Sequence, residues 1–174
     1  DPALADARRA VELVLKAHEP FPALAVDRHW QLISANAGLA PLLAGVAPHL
    51  LEPPVNVLRV SLHPEGAAPR IANLPEWRAH IFHRLETQID ASADGGLVRL
   101  LDELRGYPGG TAQGAGGFGG VAVPFVLKSG AGELSFLSTT TMFGTPIDIT
   151  LSELAIETFL PANARTAELL GSRS

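Results

Sequence analysis

Apolar residues recur at helical spacing, or follow a capping residue, in five segments of the chain. Residues three and four positions apart lie on one face of an α-helix, so each such segment predicts a helix with one apolar face. Asn36 and Asn73 precede two of these segments and Asn163 begins a third, and asparagine is a favoured N-cap because its side-chain oxygen accepts a backbone N–H. The predicted helices cover residues 2–17, 37–44, 74–90, 96–105 and 163–170.

Shorter apolar runs typical of β-strands lie between and after these helices. Residues 23–26 and 31–34 flank the polar turn Asp27–His29, which predicts a β-hairpin. Three further runs are rich in Val, Ile, Thr, Phe and Leu, and glycine-containing turns separate them. We predict three antiparallel strands there, at residues 121–128, 133–143 and 147–160. The segment 55–62 has no strong period, so both helix and strand stay open for it.

The order helix, two strands, several helices, three strands and helix is typical of an α+β fold, because strands and helices are grouped rather than regularly alternating. We therefore predict one domain over residues 1–174, with a five-stranded antiparallel sheet and helices packed on one face. Eight glycines fall within residues 106–120, and this composition predicts a flexible loop inside the domain.

Composition and charge exclude several classes of function. The chain has no cysteine, which excludes disulfides and thiolate metal sites. Its 13 basic and 18 acidic residues give a net charge of −5 without a visible basic patch, so we expect this chain not to contact nucleic acid itself. No apolar run reaches the length of a membrane span and no signal peptide opens the chain, which predicts a cytoplasmic protein without membrane contact.

Two patterns suggest catalytic or metal chemistry, and each has a simpler explanation. Residues 114–119 match G-x-G-x-x-G, but a helix precedes them and a strand follows, the reverse of a phosphate-binding loop. Glu76, His80 and His83 share a helical face that we expect to point away from the apolar face, so we predict solvated side chains rather than a metal site. No G-x-S-x-G nucleophile motif occurs. We therefore expect no catalytic residue, no metal ligand and no cofactor.

Two groups of polar residues suggest a binding site for a small molecule. Residues 138–141 carry hydroxyls that alternate along a predicted strand, so one pair faces the core or a pocket; β-propensity alone also explains them. Arg59 and His63 lie beside apolar residues, an environment that suits an amphipathic anion such as a carboxylate. A surface face that pairs with the excess acidic residues is the alternative for this second group.

An ordered series of stretches resembles a known family. Residues 22–36, with a tight turn at Asp27–His29 and Asn36 at a helix start, resemble the opening of a PAS-like domain. The whole series is similar to the MmyB-like ligand-binding domain that follows an XRE-type helix-turn-helix in bacterial transcription regulators. Its later stretches are Asn56–Pro64, Arg70–Arg78, Leu101–Arg105 and Leu137–Leu160. The chain departs from the family pattern before its third strand, where the glycine-rich loop replaces an aromatic-rich segment.

The resemblance implies a PAS-like sheet, a regulatory rather than catalytic role, and a pocket for a small apolar or fatty-acid-like ligand. The ligand would lie between the sheet and the helix that carries Trp77, with Arg59 or His63 at its polar end. DNA contact would belong to a helix-turn-helix that is absent from this chain. The expected ligand contacts are Trp30, Leu58, Arg59, His63, Trp77, Ile81, Phe136, Ser138, Thr140 and Phe143.

A ligand-free dimerisation module of the same regulator is the alternative hypothesis. PAS-like domains often pair through an N-terminal helix, and the predicted first helix has an apolar face that includes Leu4, Val11 and Val14. In either case the resemblance implies a homodimer.

Overall fold

The structure, a computed structural model, describes residues 2–113, 122–143 and 153–171 of the chain. Its five α-helices are α1 (Pro2–Ala17), α2 (Val57–Leu62), α3 (Leu74–Ser92), α4 (Gly95–Arg105) and α5 (Ala164–Gly171). The strands are β1 (Ala23–Val26), β2 (Leu32–Ala35), β3 (Pro124–Ser129), β4 (Gly132–Thr141) and β5 (Ala155–Pro161). Helix α2 and three short 3-10 helices connect β2 to α3. The 3-10 helices are Ala37–Leu43, Pro48–Leu51 and Ala68–Arg70.

The five strands form one antiparallel sheet in the order β2-β1-β5-β4-β3. Strand β5 therefore lies in the centre, where Leu24 of β1 pairs with Glu157 and Thr139 of β4 pairs with Thr158. The predicted α+β fold with a five-stranded antiparallel sheet is confirmed. Parts of the predicted glycine-rich loop and of the strand at 147–160 lie outside the described residues, as does the Gly144–Pro146 turn.

The sheet has helices on both faces, because successive side chains of a strand point to opposite sides. Leu24 and Phe136 face the larger core cluster, which includes Trp77 of α3 and residues of α2 and α4. Ala23, Ala25 and Ile156 face the other side and pack against Val11 and Leu15 of α1. The sequence predicts helices on one face of the sheet, and helix α1 adds a third layer on the opposite face.

Two asparagines position the segments next to the larger core. Asn36 accepts the N–H groups of Gly38 and Ala23 and donates to the carbonyls of Leu15 and Phe21, which ties α1 to the hairpin. Asn56 accepts the N–H groups of Leu58 and Arg59, and the undecided segment 55–62 is mostly the short helix α2.

One predicted helix type and one predicted cap need correction. Residues 37–43 form a 3-10 helix rather than an α-helix, and Pro41 inside it has no N–H to donate to an α-helical hydrogen bond. Asn73 precedes α3 as expected, but its side chain does not cap the helix. It instead donates to the carbonyl of Pro124 (2.7 Å) and accepts the N–H of Val126 (3.2 Å), which binds the start of α3 to the edge strand β3.

Candidate functional site

A cavity of about 290 Å³ lies between one face of the sheet and the segments from the first 3-10 helix to α3. Its volume is near the lower end of the range for small-molecule sites, about 300–1,000 Å³. Most of the lining is apolar and comes from β1, β5, α2, α3 and the 3-10 helices, for example Leu24, Leu39, Leu51, Leu58, Ile81 and Phe159. The polar lining residues are Ser61, His80, Arg84, Ser138 and Glu157.

Two tryptophans form rigid walls of this cavity because hydrogen bonds fix their indole rings. Trp77 donates from Nε1 to Ser61 Oγ on α2 (3.0 Å), and its ring centroid lies 4.8 Å from that of Phe125. Trp30 donates from Nε1 to Gln88 on α3 (2.9 Å). Its backbone has a φ of 66°, a conformation that is rare for a bulky residue and that commonly occurs at functional sites.

The polar end of the cavity is an ion pair between Arg84 of α3 and Glu157 of β5. Glu157 is 4% exposed, and Arg84 Nη2 lies 2.7 Å from its Oε1. Thr140 donates to Glu157 Oε2 (2.5 Å) and accepts from Arg84 Nη2 (3.1 Å). The guanidinium of Arg84 also lies over the ring of Trp30, 4.7 Å from its centroid. A buried carboxylate requires such a partner because its desolvation is costly.

His80 adds a neutral polar group to the same wall. Burial lowers the pKa of His80 below its usual 6.5, and the electrostatic effects of the neighbouring Arg84 and His83 lower that pKa further. The imidazole is therefore neutral at physiological pH, with one nitrogen as donor and the other as acceptor. Its ring centroid lies 5.2 Å from that of Trp77.

Five of the predicted ligand contacts line the cavity, namely Trp30, Leu58, Trp77, Ile81 and Ser138. Phe136 is fully buried behind the wall, and Thr140 binds Glu157 without lining the cavity itself. Phe143 lies beyond the end of β4 and packs with the α1 cluster on the other face of the sheet. Ligand contact by the five lining residues stays a prediction.

Arg59 and His63, the predicted partners of a ligand's polar end, do not line the cavity. Arg59 forms two hydrogen bonds with the carboxylate of Glu103 on α4 (2.6 and 2.9 Å), and Tyr107 also donates to that carboxylate. The Arg59 hydrogen bond lowers the pKa of Glu103, while burial and the Glu103 contact raise the pKa of Tyr107 to about 12. These residues tie α2 to α4 instead.

The sequence-based interpretation of α3 missed His80 and Arg84. We expected the face with His80 to point away from the apolar face, but three residues of helix turn by 300°, so His80 lies only about 60° from Trp77. Arg84 follows Trp77 by seven residues and Ile81 by three, a spacing that also places it on the cavity face. Glu157 lies two positions before Phe159 in β5, so both side chains point to the same face of the sheet. This two-residue period was the sequence signal that could have identified Glu157.

One group of possible metal ligands occurs in the described part of the chain, and it differs from the Glu76, His80 and His83 group considered from the sequence. Its ligand atoms, from His49, His63 and Glu65, lie within 4.8 Å of one another. However, His63 Nδ1 accepts the Glu65 N–H (2.9 Å), so a neutral imidazole carries its proton on Nε2. In this conformation the ring offers no free lone pair to a metal.

Comparison with known proteins complements this geometry. A family model described as the MmyB-like transcription regulator ligand binding domain matches residues 7–172, which include every residue that lines the cavity. No curated protein sequence is detectably similar to the chain. Within the described residues, no helix is long and apolar enough to cross a bilayer. The chain belongs to the family of MmyB-like ligand-binding domains of transcription regulators, a family of regulatory domains rather than of known enzymes.

Proposed function

We propose that this domain binds a small apolar or fatty-acid-like molecule in the cavity and thereby regulates a DNA-binding domain in the same cytoplasmic protein. The cavity itself carries the proposal: its wall is almost entirely apolar, and its few polar groups are gathered on α2, α3, β4 and β5. Natural ligand sites combine a mainly apolar lining with a few well-placed polar groups in this way. The family supports a regulatory role for such binding.

The ligand's apolar part would contact Trp30, Leu58, Trp77 and Ile81, and Ser138 would lie nearer the polar end. Arg84, Glu157 and His80 would meet the polar group, in place of Arg59 and His63. The two tryptophans are already fixed by hydrogen bonds, so binding would cost little side-chain entropy.

Strand β1 offers a route from the cavity to the regulator's other domain. Leu24 lines the cavity, while its neighbours Ala23 and Ala25 pack on α1 across the sheet. An XRE-type helix-turn-helix would precede α1 in the full regulator. If the domain exchanges between two conformations that place α1 differently, a ligand that binds one conformation more tightly shifts the equilibrium toward it. The size of the shift is set by the difference between the two affinities.

The dimerisation alternative has less support. Val11 is 2% exposed and packs inside the chain, Val14 packs against the same cluster, and the side chain of Leu4 lies outside the described part. At Val11 and Val14, the face expected to join two copies therefore packs on the sheet of its own chain. A homodimer through another surface stays a prediction.

The binding proposal can be tested by filling the cavity. Binding of the neutral dye N-phenyl-1-naphthylamine would be compared between wild type and Ser138→Leu. Native and denaturing mass spectrometry of the purified chain would show whether it already carries a ligand. We expect stoichiometric dye binding by the wild type and at least about tenfold weaker binding by Ser138→Leu, whose larger side chain occupies cavity volume. Ser135→Leu, in the same strand but on its opposite face, is the matched control and should bind like wild type.

The decisive result is the comparison between the two variants. Equal dye binding by wild type, Ser138→Leu and Ser135→Leu would place the dye elsewhere on the protein and overturn the proposal. Absence of dye binding to the folded wild type, together with a native mass equal to that of the bare chain, would also overturn it.

A further inference from the structure

Glu157 is an unusual residue for a cavity that binds a fatty-acid-like chain. Its side chain is 5% exposed and lines the cavity, yet an ionised carboxylate can only accept hydrogen bonds. Oε2 accepts from Thr140. Oε1 is buried and receives no hydrogen bond from the described residues, because Arg84 Nη2 approaches it as an ion-pair partner without hydrogen-bond geometry.

The charge of Arg84 is already balanced by Glu157. A second carboxylate at this end of the cavity would lie beside Glu157, and two neighbouring negative charges in a desolvated site repel each other. A neutral donor such as a hydroxyl would meet no such repulsion. It would also supply the hydrogen bond that Oε1 lacks despite its ion pair with Arg84, and a buried acceptor without a hydrogen bond is costly.

The other polar lining groups do not favour an anion over a neutral donor. Neutral His80 can donate or accept, and a serine hydroxyl such as that of Ser138 can do the same. The hydroxyl of Ser61 already accepts from Trp77 Nε1. The buried acceptor on Glu157 is therefore the group that discriminates between ligand classes.

We infer that the ligand carries an uncharged, hydrogen-bond-donating end, such as an alcohol or a primary amide, on an apolar chain, and that Glu157 selects against an ionised carboxylate. This inference rests on the proposed function and narrows its ligand class. A fatty-acid-like ligand would then bind in a neutral form.

The test uses three probes with the same number of carbon atoms, namely 1-decanol, its isomer 1-methoxynonane and decanoate. The alcohol donates a hydrogen bond, the ether only accepts, and the carboxylate is charged at about pH 7.5. Displacement of N-phenyl-1-naphthylamine from the wild-type chain would give their relative affinities. We expect 1-decanol to bind about tenfold more tightly than either of the other two, the size of effect that one hydrogen bond to a charged group produces.

Two variants separate the role of Glu157 from simple packing. Glu157→Gln leaves Arg84 without a counter-charge, so decanoate should gain about tenfold relative to 1-decanol. The double variant Arg84→Met with Glu157→Leu replaces the pair by apolar side chains, and such replacements commonly keep proteins folded. We expect it to bind 1-decanol and 1-methoxynonane equally, which keeps the test valid if Glu157→Gln does not fold.

The outcomes distinguish this inference from the proposed function. If none of the three probes displaces the dye, apolar-chain binding itself fails. If the probes bind but decanoate is the tightest, or if the alcohol and the ether bind the wild type equally, the assignment to Glu157 is wrong while chain binding stands. An alcohol preference that persists in the double variant would also reject the role of Glu157.

Discussion

At the scale of single residues, His80 shows how the cavity wall sets a protonation state. Burial disfavours the charged imidazolium, and the adjacent positive charge of Arg84 acts in the same direction. His83, three residues later on α3, is exposed, and its surroundings differ from those of the cavity wall. The two histidines are therefore a natural pair for comparing a half-buried with an exposed imidazole on the same helix.

The lowered pKa of His80 makes folding sensitive to mild acid. Because the unfolded chain binds a proton near pH 6.5 and the folded chain only at lower pH, the free energy of unfolding falls as pH drops below that value. We expect urea unfolding at about pH 7.5 and 5.5 to show a smaller loss of stability for His80→Gln than for wild type. His83→Gln removes only the smallest of the three causes that lower the pKa of His80, so it should lose more stability than His80→Gln. Equal losses in wild type and His80→Gln would contradict the assignment.

At the scale of elements, short polar contacts decide structures that apolar periodicity leaves open. Helix α2 has six residues, too few to show a clear period, and its start depends on Asn56. That side chain accepts the N–H groups of Leu58 and Arg59 and donates to the carbonyl of His29 (3.1 Å). The cap therefore fixes both α2 and its position against the β1–β2 turn, next to the cavity.

Removal of this cap should weaken both the fold and the site. We expect Asn56→Ala to lower the free energy of unfolding by about 1–2 kcal/mol, the cost typical of a lost N-cap, and to weaken dye binding because Leu58 and Ser61 line the cavity. Asn56→Asp keeps the accepting oxygen and should retain most of the stability. Urea unfolding measures the first effect, and an Asn56→Ala protein as stable as wild type would show that the cap contributes little.

The limits of the sequence-based interpretation also lie at this scale. Asn36 and Asn163 were correctly identified as caps, because each accepts the backbone N–H of a nearby residue, Gly38 and Thr166 respectively, whatever else Asn36 binds. Asn73 was not, because its partners Pro124 and Val126 are more than fifty residues away in sequence. A capping motif indicates where a helix begins, but long-range pairing decides what the side chain binds.

At the scale of the whole molecule, the site depends on contacts between distant parts of the chain. Arg84 and Glu157 meet because β5 lies between β1 and β4, with α3 packed across it. Periodicity predicts that strands and helices exist, and here it predicts the fold class correctly. It does not predict which face of α3 meets which strand. Arg59 and His63 were therefore expected at the polar end of the ligand, whereas the charged groups that line the cavity come from α3 and β5.

Helix α1 is the element that turns a two-layer fold into a three-layer one. Leu15 is 2% exposed and packs on Ala23, Ala25 and Ile156, whereas Leu13, on the same helix, is 66% exposed. Only the first of these leucines contributes to the core within one chain. The same substitution at both positions therefore separates packing on the chain's own sheet from contact with a second copy.

We expect Leu15→Ala to lower the free energy of unfolding by about 2–5 kcal/mol, the range for a buried leucine that leaves a cavity. Leu13→Ala should change it by less than about 0.5 kcal/mol, as for most exposed sites. Urea unfolding at two protein concentrations measures both effects. If α1 instead joined two copies through its outer face, Leu13→Ala would be the damaging variant, and the unfolding midpoint of the wild type would rise with protein concentration.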